Sequence, residues 1–132
     1  MSHIFKNISN KSDEHKVLHI IKILQRDAKD SSLYHKHAAL IISPDGRILA
    51  RSSNYRMSPN QIESIHAEQA VLSVLKGKHR NYKYLRKCTM YVIRISNTEE
   101  GVLKLSKPCK KCERKIIESG IGKIFYSVNN LI

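Results

Sequence analysis

The sequence lacks most of the features that mark secreted, membrane-bound or fibrous proteins. Its 132 residues include three cysteines, an odd and low number that argues against a disulfide framework and for a reducing, cytoplasmic compartment. No stretch approaches the roughly 18 to 20 apolar residues of a membrane span, and residues 1–11 lack the apolar core of a secretion signal. No repeat or low-complexity tract divides the chain. We therefore expect one soluble domain over residues 1–132, no membrane partner, and a loose N-terminus over residues 1–11.

Acidic residues are also scarce. Aspartate and glutamate together number 11 against 24 lysines and arginines, which gives a formal net charge of +13 at pH 7. A positive field of this size favours phosphate-bearing partners, namely nucleotides, RNA or DNA. The chain is also rich in lysine, isoleucine and asparagine together, a composition that A+T-rich coding produces. Both origins of the charge therefore stay open.

Apolar periodicity predicts a helix and then a hairpin in the first half of the chain. Over residues 12–30 the apolar side chains recur at the spacing of one helical face. They are Val17, Ile20, Ile21, Leu24 and Ala28. The apolar run over residues 37–43 predicts a buried strand, and residues 47–53 predict a second strand. The Pro-Asp-Gly sequence between them is typical of a tight turn, so the two strands form a hairpin.

The second half of the chain alternates helices and strands. Helices are predicted over residues 66–76 and 109–119, and strands over residues 88–95 and 123–127, with loops between them. The order of elements is therefore α-β-β-α-β-α-β. Strand–helix–strand alternation after a hairpin implies parallel crossovers, and hence an α/β fold whose mixed sheet has about four strands and helices on its faces.

Two short motifs lie at the starts of predicted helices. The first is His-Ala-Glu at residues 66–68, and the second is Pro-Cys-Lys-Lys-Cys at residues 108–112. Cys109 and Cys112 are three residues apart, so both thiols lie on one helical face. The positive end of the helix dipole and a metal ion would both favour their thiolates. This arrangement predicts either a redox motif or half of a metal site, and in a metal site the other ligands would come from elsewhere in the chain.

The two motifs together have the composition of a catalytic zinc site. A nitrogen of His66 and the thiolates of Cys109 and Cys112 make three protein ligands for Zn²⁺, which leaves the fourth tetrahedral position open for water. Zinc lowers the pKa of such a water to about 7. Glu68 follows His66 by two residues, and at the mouth of a helix it would reach that water rather than the metal. We therefore predict that Glu68 is the general base.

The motifs resemble the signature of the cytidine deaminase superfamily, H-x-E followed by P-C-x-x-C. The resemblance covers roughly residues 36–127 and lies in the branch with a histidine zinc ligand, which includes deoxycytidylate, tRNA adenosine and guanine deaminases. It implies a three-layer α/β/α cytidine-deaminase-like fold, a hydrolase acting on C–N bonds of cyclic amidines, and a homodimer or homotetramer. It also implies that Asn54, Ala67 and Lys107 contact the substrate. The chain ends soon after the fourth predicted strand, so either a neighbouring subunit completes the pocket or the pocket is open.

The first functional hypothesis is zinc-dependent hydrolytic deamination of a free cytosine nucleoside or nucleotide, with release of ammonia. The alternative is a deaminase acting on a base within RNA or single-stranded DNA, which is favoured by the basic segment with interleaved tyrosines over residues 76–87. A basic stripe beside the second motif would either guide phosphate or form a solvated face. It comprises Lys107, Lys110, Lys111, Arg114 and Lys115.

Two non-catalytic interpretations remain beside these. A purely structural zinc site would need a fourth protein ligand, for which Cys88 and His79 are available. A nucleic-acid-binding module stabilised by zinc would not need Glu68 for its function. His35 and His37 flank the first predicted strand without a motif, so we assign them to packing or to the surface.

Overall fold

The computed structural model describes residues 4–7, 14–56, 64–76 and 81–131. Its helices are α1 (Glu14–Lys29), α2 (Ala67–Lys76), α3 (Tyr82–Leu85) and α4 (Lys110–Ser119). Its strands are β1 (Ile4–Asn7), β2 (His37–Ile42), β3 (Ile48–Ser53), β4 (Tyr55–Arg56), β5 (Ser64–Ile65), β6 (Thr89–Ile95), β7 (Val102–Lys104), β8 (Lys123–Tyr126) and β9 (Asn130–Leu131). No helix in these ranges is long and apolar enough to cross a membrane.

The four strands predicted from the sequence, β2, β3, β6 and β8, form most of one mixed sheet. Its order is β1-β8-β6-β2-β3. Strand β2 runs antiparallel to both β3 and β6, whereas β6 and β8 are parallel. Because β3 and β6 are both antiparallel to β2, they run parallel to each other, as a crossover through α2 requires. The predicted α/β class and mixed sheet are confirmed.

Several short strands were not predicted. Strand β1 lies in the N-terminal segment, residues 1–11, that we expected to be loose. It pairs with β8 in parallel, with Ile4 opposite Lys123, so the expectation is wrong for residues 4–7. Strand β7 pairs with β6, β9 pairs with β7, and β4 pairs with β5 in a separate two-stranded sheet. These strands have two to four residues, too few to show an alternating apolar pattern.

The continuous apolar run of β2 is explained by a helix layer on each face of the sheet. Successive side chains of a strand point to opposite faces. Ala38, Leu40 and Ile42 lie in the core that includes α1, whereas Ala39 and Ile41 lie in the core that includes α2, α3 and α4. The predicted apolar face of α1 is also buried, with none of its five residues more than 7% exposed. The fold is therefore the three-layer α/β/α arrangement that the resemblance implied.

Gly122 lies where the backbone of another loop passes very close. A Cβ at this position would lie 2.0 Å from the backbone oxygen of Arg86, an atom that cannot rotate away. We expect Gly122→Ala to lower the free energy of unfolding by about 3 kcal/mol, measured from the urea midpoint. Gly46→Ala is the matched control, because the space around Gly46 is open. An alanine held at the φ of 90° found there loses only about 1 kcal/mol of stability. Equal midpoint shifts for the two variants would contradict the prediction.

Candidate active site

The first turns of α2 and α4 meet on one face of the sheet. His66 directly precedes α2, Cys109 is the N-cap of α4, and Cys112 lies in the first turn of α4. The two helices pack against each other. As a result Nδ1 of His66 lies 3.1 Å from Sγ of Cys112, and one ligand atom from each of the three residues lies within 4.8 Å of the other two. The structure thus brings together the three residues that the sequence selects as metal ligands.

This cluster has a donor set that fits zinc. In a tetrahedral site with Zn–S near 2.3 Å and Zn–N near 2.0 Å, ligand atoms are about 3.5 to 3.8 Å apart. The observed separations, all within 4.8 Å, approach these values to within about 1 Å, a difference that small side-chain rotations remove. One nitrogen and two sulfurs are a common zinc donor set, and three protein ligands leave one position open.

The residues suggested as a fourth protein ligand do not join this cluster in the described part of the chain. Cys88 is fully buried in the core shared with α2 and α4, and its thiol lies 3.5 Å from the backbone oxygen of Tyr84. His79 lies outside the described residues. A purely structural site built on Cys88 is therefore not supported by the geometry.

Burial dominates the electrostatics of the cluster. It raises the pKa of the Cys112 thiol, and the nearby Glu68 carboxylate and Cys109 thiol raise it further. Burial also raises the pKa of Glu68, which is 5% exposed. A carboxyl group with a raised pKa is suited to accepting a proton and returning it.

A cavity of about 420 Å³ opens beside the cluster. Every residue predicted for the site lines it except Cys112, which is buried in the helix behind it. The lining residues among them are Asn54, His66, Ala67, Glu68, Lys107 and Cys109. Lys107 is exposed and Ala67 is fully buried, with the start of α2 at the cavity wall. Glu68, His66 and Cys109 thus share one space that a ligand can enter.

Asn54 lines the cavity, but most of its amide group is engaged elsewhere. Its Oδ1 accepts a hydrogen bond from the backbone N–H of His37 at 3.0 Å, and its Nδ2 donates to the backbone oxygen of His35 at 2.7 Å. The side chain is buried, at 6% exposure, and it holds the start of β2 in place. One N–H of the amide remains for a ligand. Contact between Asn54 and a substrate therefore stays a prediction.

Two buried serines fix the segment that leads into the second motif. Ser106 Oγ donates to the backbone oxygen of Val92 at 2.9 Å and lies 2.8 Å from Oγ of Ser127. The backbone N–H of Ser127 donates to Ser106 Oγ at 2.8 Å, and the N–H of Ser106 donates to the oxygen of Ser127 at 2.9 Å. This serine pair connects the end of β8 to the residues just before Cys109. It therefore fixes the position of the backbone at the start of the second motif.

Sequence reasoning missed two histidines that line the cavity and an arginine that contacts one of them. His35 and His37, assigned to packing or to the surface, both line it, and Arg94 lies directly behind His35 with its Nη2 2.8 Å from His35 Nδ1. His37 begins the buried strand β2 and His35 lies two residues before it, a spacing that is a weak signal that the two side chains share one side. Arg94 carried no signal, because its contact with His35 joins residues 59 positions apart.

His37 gives the fold a specific dependence on pH. Burial lowers its pKa from 6.5 to about 4, with a further contribution from the Arg94 guanidinium. The unfolded chain therefore takes up a proton at His37 before the folded chain does. The contribution of the uncharged His37 to the free energy of unfolding is fully present above pH 6.5. It decreases by about 3 kcal/mol as the pH falls towards 4. We expect urea titrations between pH 7 and 4 to show this additional loss in the wild type and not in His37→Asn. Parallel pH profiles would show that His37 titrates normally.

Comparison with known proteins identifies similar sequences and folds. Residues 11–128 match the family model described as the cytidine and deoxycytidylate deaminase zinc-binding region. No curated protein sequence matches the chain significantly. The family match agrees with the resemblance carried by the two motifs.

Solved structures show the same fold at low sequence identity. The dCMP deaminase from the cyanophage S-TIM5, in complex with dCMP and dUMP, is similar with a TM-score of 0.61 and 16% identity, over 89% of this chain and 83% of that chain. Its apo form gives a TM-score of 0.59 and 18% identity over 88% and 84%. A cytidine deaminase from Burkholderia pseudomallei gives 0.57 and 18% over 78% and 76%. These structural similarities confirm the predicted cytidine-deaminase-like fold.

Proposed function

Because the chain belongs to the cytidine and deoxycytidylate deaminase family, we propose that it is a zinc-dependent hydrolytic deaminase of a cytosine nucleoside or nucleotide. One observation carries this proposal. The ligand atoms of His66, Cys109 and Cys112 lie within 4.8 Å of one another, beside a cavity that the buried Glu68 also lines. A binding module would need the ligand cluster but would have no use for a buried carboxyl group in the same cavity.

The chemistry follows from the roles of these side chains. His66, Cys109 and Cys112 would hold the zinc ion, which when bound supplies the Lewis acidity that makes water a nucleophile near neutral pH. Glu68 accepts the proton that the attacking water gives up at C4 of the cytosine ring. It delivers this proton to N3, then accepts the remaining proton of the new C4 hydroxyl group and delivers it to the departing amino group, so that C4 becomes a carbonyl and ammonia leaves. The raised pKa of Glu68 suits this shuttle, because it must hold the proton between the two transfers.

The cavity wall offers groups that position the ring. Ala67 is the first residue of α2, and the first N–H groups of a helix have no partner within that helix. Its backbone N–H is therefore a donor for a carbonyl of the substrate. The free amide N–H of Asn54 and the exposed ammonium of Lys107 lie on the same cavity and suit the sugar or a phosphate.

Ammonia release by the zinc-loaded protein tests the proposal. The substrates are cytidine, deoxycytidine, their monophosphates, guanine, adenosine and a short RNA. Turnover of a free cytosine compound supports the proposal, and turnover of guanine or adenosine alone contradicts it. Sedimentation of the same sample tests the predicted dimer or tetramer.

A second candidate, deamination of a base within RNA or single-stranded DNA, is favoured by the surface near the cavity. Tyr34 lines the cavity and is 77% exposed, so its ring is free to stack with a neighbouring base. The cations of α4 are exposed as well; they are Lys110, Lys111, Arg114 and Lys115. Under this alternative only the RNA is deaminated, and its binding weakens steeply with rising salt because each phosphate contact releases counterions.

A further inference from the structure

Cys109 lies where α4 begins, and its own side chain does not hold that start in place. It is the N-cap residue of the helix, with an extended backbone, and its side chain makes no capping hydrogen bond. The residues preferred at an N-cap, serine, threonine, aspartate and asparagine, accept a hydrogen bond from the first N–H groups of the helix. A thiol that serves as a metal ligand does not provide this bond. The start of α4 therefore needs another anchor.

The link between Ser106 and Cys109 is short and stiff. Only Lys107 and Pro108 separate the two residues. The ring of Pro108 fixes its own φ and restricts Lys107 to extended conformations. Pro108 is also buried, so it is held by the atoms packed around it. The backbone position of Ser106 therefore largely determines that of Cys109.

The chain around Ser106 is held by the residues that follow β8. The hydroxyl of Ser127 donates to the backbone oxygen of Lys104 at 2.6 Å, and the hydroxyl oxygens of Ser106 and Ser127 are 2.8 Å apart. The backbone N–H of Leu105 donates to Oδ1 of Asn129 at 2.7 Å. Ser127 is fully buried and Ser106 is nearly so, and hydrogen bonds are stronger in such surroundings than in water. Three successive residues before the second motif are thus bonded to one short segment after β8.

Ser106 also lines the cavity, but its hydroxyl is engaged within the protein. A hydroxyl has one proton to donate and two lone pairs. The proton goes to the backbone oxygen of Val92 at 2.9 Å, and one lone pair accepts the backbone N–H of Ser127 at 2.8 Å. The other lone pair faces the Ser127 hydroxyl. The serine pair therefore acts on the site through the backbone and not by contact with a substrate.

We propose that Ser106 and Ser127 are positioning residues of the metal site, which set its affinity for zinc by holding Cys109 close to the other two ligands. Without the serine pair, Cys109 must be ordered at the moment when the metal binds. The conformational entropy lost in that step opposes binding. This inference rests on the zinc site of the proposed function, but it does not depend on turnover.

The zinc affinity of Ser127→Ala tests the proposal. We expect its dissociation constant for zinc, measured by competition with a chromogenic chelator, to rise about 10- to 100-fold, the range found for groups that orient metal ligands. Ser106→Ala should show a rise of similar size. Because the two residues act through one set of bonds, the double variant should show little more than either single variant.

Ser43→Ala is the matched control for loss of a buried serine hydroxyl. Ser43 is 4% exposed, as Ser106 is, and its Oγ accepts a hydrogen bond from the backbone N–H of Arg47 at 3.0 Å. It lies in the turn of the β2–β3 hairpin and does not line the cavity. This variant should lose stability and keep the zinc affinity of the wild type. Urea unfolding of the zinc-free proteins measures the stability of each variant separately.

Asn129 offers a milder variant of the same anchor. Its side chain is exposed, so Asn129→Ala removes the bond to Leu105 without disturbing the core. We expect the zinc dissociation constant to rise by a smaller factor, about 3- to 10-fold. Asn129→Asp keeps the accepting oxygen, and it should bind zinc no more weakly than the wild type.

The outcomes separate the positioning role from the activity. Equal zinc affinity in the wild type and all serine variants overturns the proposal, and so does an equal loss of affinity in Ser43→Ala. If the Ser106 and Ser127 variants do not fold, equal affinity of Asn129→Ala and the wild type overturns it. If no cytosine compound is deaminated but the affinities differ as expected, the proposed function fails and the positioning role stands.

Discussion

Glu68→Gln should reduce turnover by about 10²- to 10⁴-fold, the range that a positioned general acid–base group contributes. The amide has nearly the same shape as the carboxyl group but cannot accept a proton from water. Glu68 is 5% exposed and faces the cavity that His66 and Cys109 line, so no other described carboxyl group can replace it there. Ammonia release under single-turnover conditions measures the loss. Zinc content, measured in the same sample, should stay at the wild-type value because Glu68 is not in the ligand cluster.

Glu118→Gln is the matched control for this variant, because it makes the same chemical change on an exposed position of α4. Its turnover should equal that of the wild type. If Glu68→Gln retains full activity, Glu68 is not the general base. If Glu68→Gln has no activity because it has lost zinc, the carboxyl group belongs to the metal site instead. If the protein binds RNA with undiminished affinity after Glu68→Gln and never deaminates it, the binding-module hypothesis is favoured.

The second large effect is expected from Cys112→Ala. Cys112 is fully buried and its Sγ lies 3.1 Å from His66 Nδ1, so the variant removes a thiolate from the centre of the cluster. Two ligands remain, and none of the other described His, Cys, Asp or Glu side chains is placed to take its position. Zinc stoichiometry after dialysis should fall from one per chain to near zero, and activity should fall to background. The increase in melting temperature that zinc produces in the wild type should disappear.

Cys88→Ala provides the corresponding control, because Cys88 is equally buried but lies in the apolar core away from the cluster. This variant should lose some stability through its small cavity and should keep its zinc. Loss of zinc from Cys88→Ala together with its retention by Cys112→Ala would mean that the metal is held by a different ligand set.

The sequence predicted those parts of the fold that depend on long, regular patterns. The apolar face of α1 and the continuous run of β2 identify their elements because many side chains must be buried together. The two motifs identified the metal ligands and Glu68 because zinc chemistry restricts both residue type and spacing. Strand β1 was missed because a four-residue edge strand is stabilised by its partner β8 rather than by its own pattern.

The chemistry around the motifs was harder to predict. The hydrogen bonds of Asn54 to His35 and His37, and the contact of Arg94 with His35, join residues that are 17 to 59 positions apart. Such contacts are set by strand register, and a shift of one residue would turn each side chain to the opposite face. A single sequence contains no local signal for them. The register of β2 and β6 is what places Arg94 opposite His37 and beside His35.

The serine pair has a consequence for the order in which the molecule matures. Ser127 is made after Cys109 on the ribosome, yet its hydroxyl and backbone hold the segment that ends at Cys109. A nascent chain that has not yet added Ser127 therefore has all three metal ligands but not the tether that positions one of them. Tight zinc uptake is expected to follow release of β8 and Ser127 from the exit tunnel. Zinc binding would then depend on the folded sheet as well as on the three ligands.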